Sequence, residues 1–374
     1  MSRLMRVGLV GFGAVARVHC AAYKSLSAVE VVGVTDKDPK QIDEAKNKFG
    51  LPVFPTLEEM LRVASLDIAC VLTPAATHEK VVGICAAARV NVLCEKPLAV
   101  SVEACERMIA ACRVAGVRLC YGASYRYLPA LVVAREMIRN GELGRVLIIR
   151  EYAVGGCGVD RRATLSDAHY PKGGPGGSGM GLVDHGIHLI DAFGWLLDSP
   201  VIGAQGRGNI TGQPQGPEFA HLEYANGAVG QLLYEDGTYP TDLPQEGTFG
   251  WAGGWSVGEN TVDIRPGAWQ SHPGCIHVHG THGSLRIFHY ANIMLLRDKH
   301  GICQVRLPDQ AFPSNFGLQL MAFANAIQSG GDTPVPGEVG LDACRTLLQI
   351  YASRNPPKIE QKDGASRYIR DLIK

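Results

Sequence analysis

The chain has 374 residues, 46% apolar and 19% charged, which leaves room for two packed domains and excludes extensive disorder. Lysine plus arginine and aspartate plus glutamate stand at 36 each, so no net field draws in nucleic acid or a membrane, and a charged ligand must be recognised locally. Eleven scattered cysteines without a Cys-x-x-Cys pattern read as small buried residues in a reducing, cytoplasmic setting, not as a disulfide framework or structural zinc site.

The first apolar run, residues 7–10, leads directly into a glycine-rich turn and so reads as a strand, not a signal peptide. No apolar run approaches the roughly 18 residues that span a bilayer. Gly11-Phe12-Gly13-Ala14-Val15-Ala16 follows, then a helical pattern through Ala21, Ala22 and Leu26. In a strand, GxGxxA turn and helix, Gly11 permits the tight turn and Gly13 lets the backbone approach a pyrophosphate. Ala16 lets the helix pack closely on the strand. The helix N-terminus adds free N–H groups and a positive dipole end. The second strand, 29–34, ends at Asp36, at about the 20-residue spacing expected of a carboxylate that binds a ribose diol. An acid there repels a 2′-phosphate and favours NAD over NADP, a preference that Lys37 weakens.

The alternation continues with a helix at 39–49, a short strand near Val53, a helix at 57–63, a strand at 68–72, a helix at 78–88 and a strand at 91–94. This predicts a doubly wound parallel sheet, with ligands beyond the carboxyl ends of its strands. Thr73-Pro74 and Glu95-Lys96-Pro97 fall at such ends. Pro97 has no N–H and a fixed φ, so the strand stops and Lys96 gains a defined direction toward the cofactor side.

The GxGxxA turn, Thr73-Pro74 with His78, and Cys94-Glu95-Lys96-Pro97-Leu98-Ala99 resemble the glucose-fructose oxidoreductase, inositol dehydrogenase and rhizopine-catabolism (Gfo/Idh/MocA) oxidoreductase family. The resemblance implies a two-domain, usually oligomeric dehydrogenase of cyclic polyols and sugars, dimeric or tetrameric, using a nicotinamide cofactor. Cofactor contacts are then expected from Gly11, Phe12, Gly13, Val15, Ala16, Asp36, Thr73, Pro74, His78, Glu95 and Lys96. Ala123-Ser124-Tyr125-Arg126-Tyr127 is similar to the family's arginine-arginine-aromatic crossover. Arg126 and Tyr127 match it and Tyr125 replaces the first arginine, so Arg126 joins the cofactor set and Tyr125 the substrate set.

A helix at 102–115 and a strand at 118–121 complete the Rossmann domain, residues 1–122. Residues 123–374 are expected to form an α+β domain for substrate binding and oligomerisation, with a large, mainly antiparallel open sheet. A helix at 131–140 ends at Gly141 and a strand follows at 146–150. The glycine-rich stretch 155–181, with Arg161, Arg162, His169, Tyr170 and Lys172, reads as a substrate-covering loop. From Leu182 to Leu197 the pattern is helical. Asp184, His188 and Asp191 fall at i, i+4 and i+7 with His185 adjoining, a polar stripe on an apolar helix that must face water, a partner or a ligand. Asp184, His185 and His188 could ligate a metal, or Asp184 and His188 could form an acid–base set with Lys96. A nicotinamide already accepts hydride and no matching ligand motif accompanies them, so the acid–base reading is preferred and no metal is assigned.

The Asp184-His185-Gly186-Ile187-His188 segment is also similar to the family's Asp-x-Gly-x-His pattern. The implied reaction oxidises a ring CH–OH: His188 takes the hydroxyl proton, Lys96 hydrogen-bonds the developing alkoxide and Asp184 orients them. Tyr170 and His185 complete the expected substrate contacts. An alternative is an NAD-dependent glycosidase working by transient ring oxidation, elimination, water addition and re-reduction. A third reading, a nucleotide sensor without chemistry, is opposed by Lys96, Asp184 and His188.

Short apolar runs at 201–205, 221–224, 229–234, 276–278, 284–288 and 293–296 read as antiparallel strands. The stretch 237–274 carries Trp251, Trp255 and Trp269, suited to stacking on a sugar or a neighbouring subunit. His277, His279 and His282 could form a metal site but more often line a sheet surface or subunit contact. Helices at 316–328 and 341–352 close the chain.

Overall fold

The computed structural model describes residues 3–154, 181–207, 217–235, 275–289, 292–309 and 314–353. Five strands, β1 (Met5–Val10), β2 (Val29–Thr35), β3 (Ile68–Val71), β4 (Asn91–Glu95) and β5 (Leu119–Gly122), form an all-parallel sheet in the order β2-β1-β3-β4-β5. β3 and β5 are buried at every position, as expected of strands covered on both faces. The covering helices are α1 (Ala14–Lys24), α2 (Pro39–Asn47), α3 (Leu57–Val63), α4 (His78–Ala87) and α5 (Val102–Ala115). Their starts are chemically marked: the Asp38, Thr56 and Ser101 side chains accept backbone N–H groups of Lys40, Glu59 and Ala104. The strand expected near Val53 is a single bridge between Val34 and Val53, because the chain touches the sheet edge for one residue and turns into α3.

From β5 the chain passes through a 3₁₀ turn, Ser124–Tyr127, into α6 (Pro129–Arg139) and β6 (Val146–Val154). The segment expected to be one helix from Leu182 is a π-helical turn, Gly181–Gly186, followed by α7 (Ile187–Leu197). The remaining strands are β7 (Val201–Arg207), β8 (Glu218–Tyr224), β9 (Val229–Glu235), β10 (Ile276–Gly280), β11 (Gly283–Phe288), β12 (Ile293–Asp298) and β13 (Gly301–Gln304). They join β6 in an eight-stranded sheet ordered β13-β12-β11-β10-β6-β9-β8-β7. Its pairs are antiparallel except β6 with β9, which run parallel, so the sheet is mainly antiparallel as expected. Burial alternates along β8, so one sheet face packs on α7 and the other is open.

Two further helices, α8 (Ser314–Ser329) and α9 (Gly337–Ala352), return to the two cores. Phe316, Leu320 and Phe323 of α8 lie in the same core as the parallel sheet, while Ala343, Leu347 and Ile350 of α9 join the core under the large sheet. Gln319 and Asn315 donate from their amide nitrogens to the Tyr121 and Ser124 carbonyls, each at 3.3 Å. These bonds fix α8 against the crossover segment. No helix among the described residues is long and apolar enough to cross a membrane.

Candidate active site

The order β2-β1-β3 reverses chain direction across the sheet between β1 and β3, and a crevice opens beyond the carboxyl ends at such a point. A cleft of about 770 Å³ lies there and extends to the π turn and α8. Gly11 turns the chain at φ +92°, where a Cβ would come within 3.0 Å of the Leu72 carbonyl. A Cβ on Gly13 would meet nothing within 4 Å, so the backbone faces open space at the start of α1. At the end of β2, the Asp36 carboxylate accepts the Phe12 N–H at 2.6 Å and the Asp38 N–H at 2.8 Å, which couples it to the glycine turn. A bare backbone cradle, a helix N-terminus and a fixed carboxylate beside them fit the pyrophosphate and ribose diol of a dinucleotide.

Of the residues expected at the cofactor, Gly11, Gly13, Val15, Asp36, Thr73, Pro74, Glu95 and Lys96 line this cleft. Phe12 and Ala16 serve it from behind: both are fully buried, and the Phe12 ring packs edge-on against Phe49 at 5.2 Å. Two side chains expected at the cofactor turn inward. His78 places Nε2 2.7 Å from the Thr73 carbonyl and Nδ1 3.1 Å from the carbonyls of Pro97 and Leu98, so it braces the two cleft loops and does not line the cleft. Burial lowers its pKa, opposing those carbonyls. Arg126 is committed to a bidentate pair with Asp191, at 2.9 and 2.5 Å, beneath Trp195.

Lys96, released at the end of β4, points across the cleft to the π turn. Its Nζ donates to Asp184 Oδ1 at 2.5 Å and to the Asp184 carbonyl at 3.0 Å, with both side chains mostly buried. His188, at the start of α7, lies in the same cleft with its ring stacked on Tyr125 at 4.2 Å and 7°. Burial first, then the charges of Lys96, His185 and His289, holds His188 well below its ordinary pKa, so its imidazole is neutral. His185 points to Glu151 on β6, with Nε2 to Oε2 at 2.8 Å. Burial works against its charged form, but Glu151's charge and hydrogen bond outweigh this and hold His185 above the usual value. Glu151 is pushed up by burial, with His185 opposing.

The supposed single stripe is therefore divided among three partners: Asp184 meets Lys96, His188 meets Tyr125, and Asp191 meets Arg126. Glu151, Asn315 and Phe316 also belong to the site or its support and were not singled out from the sequence. Nothing in the local pattern of α8 marks Asn315 or Phe316, whereas a glutamate at an inward position of an apolar strand is a usable signal for Glu151 on β6. Glu95, expected to contact cofactor, spends one oxygen on buried His19 at 2.9 Å and the other on the Lys96 N–H at 3.0 Å. Tyr170 and the cations Arg161, Arg162 and Lys172 lie outside the described residues, as do Trp251, Trp255 and Trp269. His277 and His279 stack at 6.1 Å on the open sheet face, and burial with the charges of Arg150 and Arg286 lowers His277 to about 4.

Residues 5–123 match a family described as oxidoreductase, NAD-binding Rossmann fold, and residues 135–358 match its C-terminal alpha/beta domain. The chain is 30% identical over 200 residues to D-glucoside 3-dehydrogenase of Escherichia coli (strain K12), covering 53% of this chain and 55% of that protein. Thus it spans about half the length of that relative. It is 29% identical to inositol 2-dehydrogenase of Ralstonia nicotianae over 97% of this chain and 98% of that protein. Aldose-aldose oxidoreductase from Caulobacter crescentus, solved with glycerol, superposes with a TM-score of 0.75 at 20% identity, covering 94% of this chain and 98% of that one, a likeness of fold. With both halves matched in order, the chain belongs to the NAD-binding glucose-fructose oxidoreductase, inositol dehydrogenase and rhizopine-catabolism (Gfo/Idh/MocA) oxidoreductase family.

Proposed function

We propose that this protein oxidises a ring hydroxyl of a sugar, inositol or glycoside. The observation that carries this reading is the Lys96–Asp184 contact beside neutral His188, in one cleft with the glycine turn and Asp36. NAD, when bound, takes up the hydride. Gly11, Gly13 and Asp36 would hold its pyrophosphate and ribose, with Val15, Thr73 and Pro74 along the cleft. His188 receives the hydroxyl proton, which a neutral imidazole can accept and an imidazolium cannot. Lys96 donates to the oxygen as it gains negative charge, which strengthens that hydrogen bond in the transition state. Asp184 keeps the Lys96 ammonium in the cleft and balances its charge. The family and the names of the relatives support a polyol or sugar as substrate.

The chain divides in this reading into a nucleotide domain, residues 1–122, and a substrate domain, residues 123–374. The second would also carry self-association, since its open sheet face exposes Ile148, Tyr152 and Phe219. The test incubates the protein and NAD with inositols, free sugars and glycosides, following reduced nicotinamide and released aglycone together. Stoichiometric NADH is expected. Aglycone release without net NADH would replace the dehydrogenase by a redox-neutral glycosidase, and no NADH from any ring would overturn the substrate class.

A further inference from the structure

Glu151 is a buried carboxylate that the proposed proton and hydride transfers leave unused. It projects inward from β6, is 1% exposed, and meets His185 through Oε2 alone. Its second oxygen, Oε1, is buried without a hydrogen-bond partner among the described residues. A carboxylate serving as a core strut uses both oxygens, as Glu95 does with His19 and the Lys96 N–H, and as Glu218 does with the Leu182 N–H and the Tyr351 hydroxyl. Desolvating a carboxylate for one contact is costly, so that contact needs a purpose beyond cohesion.

What the contact achieves is orientation. With Nε2 bound to a carboxylate, the His185 proton is fixed on Nε2, and Nδ1 becomes the nitrogen left for other partners. Nδ1 faces the Tyr125 hydroxyl at 3.5 Å, too long for a strong hydrogen bond between them, and both side chains line the cleft beside Asp184 and His188. A hydroxyl within reach of both can donate to Nδ1 or accept from it, and exchange a second hydrogen bond with the phenol. It is therefore accommodated in either charge state of the imidazole.

We propose that Glu151, acting through His185 and with Tyr125, forms a subsite for a second ring hydroxyl, adjacent to the one that Lys96 and His188 handle. The inference rests on the ring-oxidation reading and narrows its substrates to rings with vicinal hydroxyls. Glu151 is a positioning residue in this scheme: it touches no substrate and sets which His185 nitrogen does.

The test takes the ring oxidised fastest among myo-inositol, scyllo-inositol, D-glucose and methyl β-D-glucoside. It is compared with deoxy counterparts lacking each hydroxyl next to the oxidised carbon. In the wild type, one of these deletions lowers kcat/KM on the order of 100-fold, because buried polar groups are left unpaired. Glu151→Gln lowers kcat/KM for the parent ring by a similar factor but leaves the deoxy ring within about threefold of its wild-type value. Equal losses on both rings, or no loss on the parent, overturn the subsite. Imidazole nitrogen NMR adds a readout independent of turnover, with His185→Gln assigning the signal. The wild type carries its proton on Nε2, and Glu151→Gln releases that preference; an unprotonated Nε2 in the neutral wild-type ring also overturns the proposal. Absence of NADH from every ring is a separate result that defeats the ring-oxidation reading, while the NMR still decides the orientation.

Discussion

Among the described residues, two carboxylate–imidazole pairs have their carboxylates on strands, one in each sheet. Glu95 meets His19 at 2.9 Å and Glu151 meets His185 at 2.8 Å. The first is sealed at its imidazole, with Glu95 alone bordering the cleft: His19 is fully buried, its Nδ1 is bound to the Tyr23 hydroxyl at 2.7 Å, its ring packs on Phe316, and Glu95 caps the Lys96 N–H. The second is open on one side, where the His185 ring borders the cleft. The same chemistry therefore serves cohesion in one sheet and presentation of a nitrogen in the other. The difference lies in how many polar atoms are already satisfied.

Breaking the sealed pair should produce the largest effect. His19→Ala removes one partner of a buried pair and leaves Glu95 and Tyr23 without it, which should cost about 3–5 kcal/mol in urea unfolding. Glu151→Gln should reverse the pattern, with kcat/KM down on the order of 100-fold and a thermal midpoint within about 3 °C of wild type. If His19→Ala left stability unchanged, the distinction between the pairs would fail.

A smaller effect comes from adding atoms where neither pair lies. Gly13→Ala enters open space at an ordinary backbone angle, φ −71°, so the fold should tolerate it. It would intrude on the proposed pyrophosphate position, and NAD affinity measured by fluorescence titration should fall about tenfold or more. Unchanged affinity would move the dinucleotide away from the glycine turn.

The smallest effects are on pH dependence, and the open pair and its neighbour differ in sign. His185 has its folded pKa raised, so the stability it contributes is full below about 6.5 and is lost as pH rises through the raised value. His188 has its folded pKa depressed, so its contribution is full above about 6.5 and is lost as pH falls toward the depressed value. Thermal midpoints against pH should thus show a weaker alkaline decline in His185→Gln and a weaker acid decline in His188→Gln, and parallel profiles would contradict both assignments.

The glycine turn and the carboxylate beside it were legible in the sequence because their signals are local: Gly11 and Gly13 set backbone geometry within one turn, and Asp36 ends the next strand. Lys96 was legible for the same reason, since Pro97 ends its strand. The partners across the cleft were less so. Spacing of Asp184, His188 and Asp191 fixes their direction on a regular α-helix, but the π turn at Gly181–Gly186 displaces Asp184 and His185 from that register. Arg126 then claims Asp191, a choice made by packing between segments 65 residues apart. His78 and Arg126 carry polar groups that suit a cofactor equally well as a carbonyl or carboxylate brace, and only the folded surroundings separate these uses. The return of α8 to the first core depends on contacts with no counterpart in local periodicity.

In the proposed reaction Lys96, held by Asp184, meets the reacting oxygen. Lys96→Met keeps the stem and removes the ammonium, and the decisive measurement pairs NADH formation on the best ring with NAD titration of the same variant. A loss of about 1,000-fold or more in kcat, with NAD affinity within about threefold of wild type, is the expected result. Retention of more than about a tenth of wild-type kcat would contradict the assignment of Lys96 to the reacting oxygen.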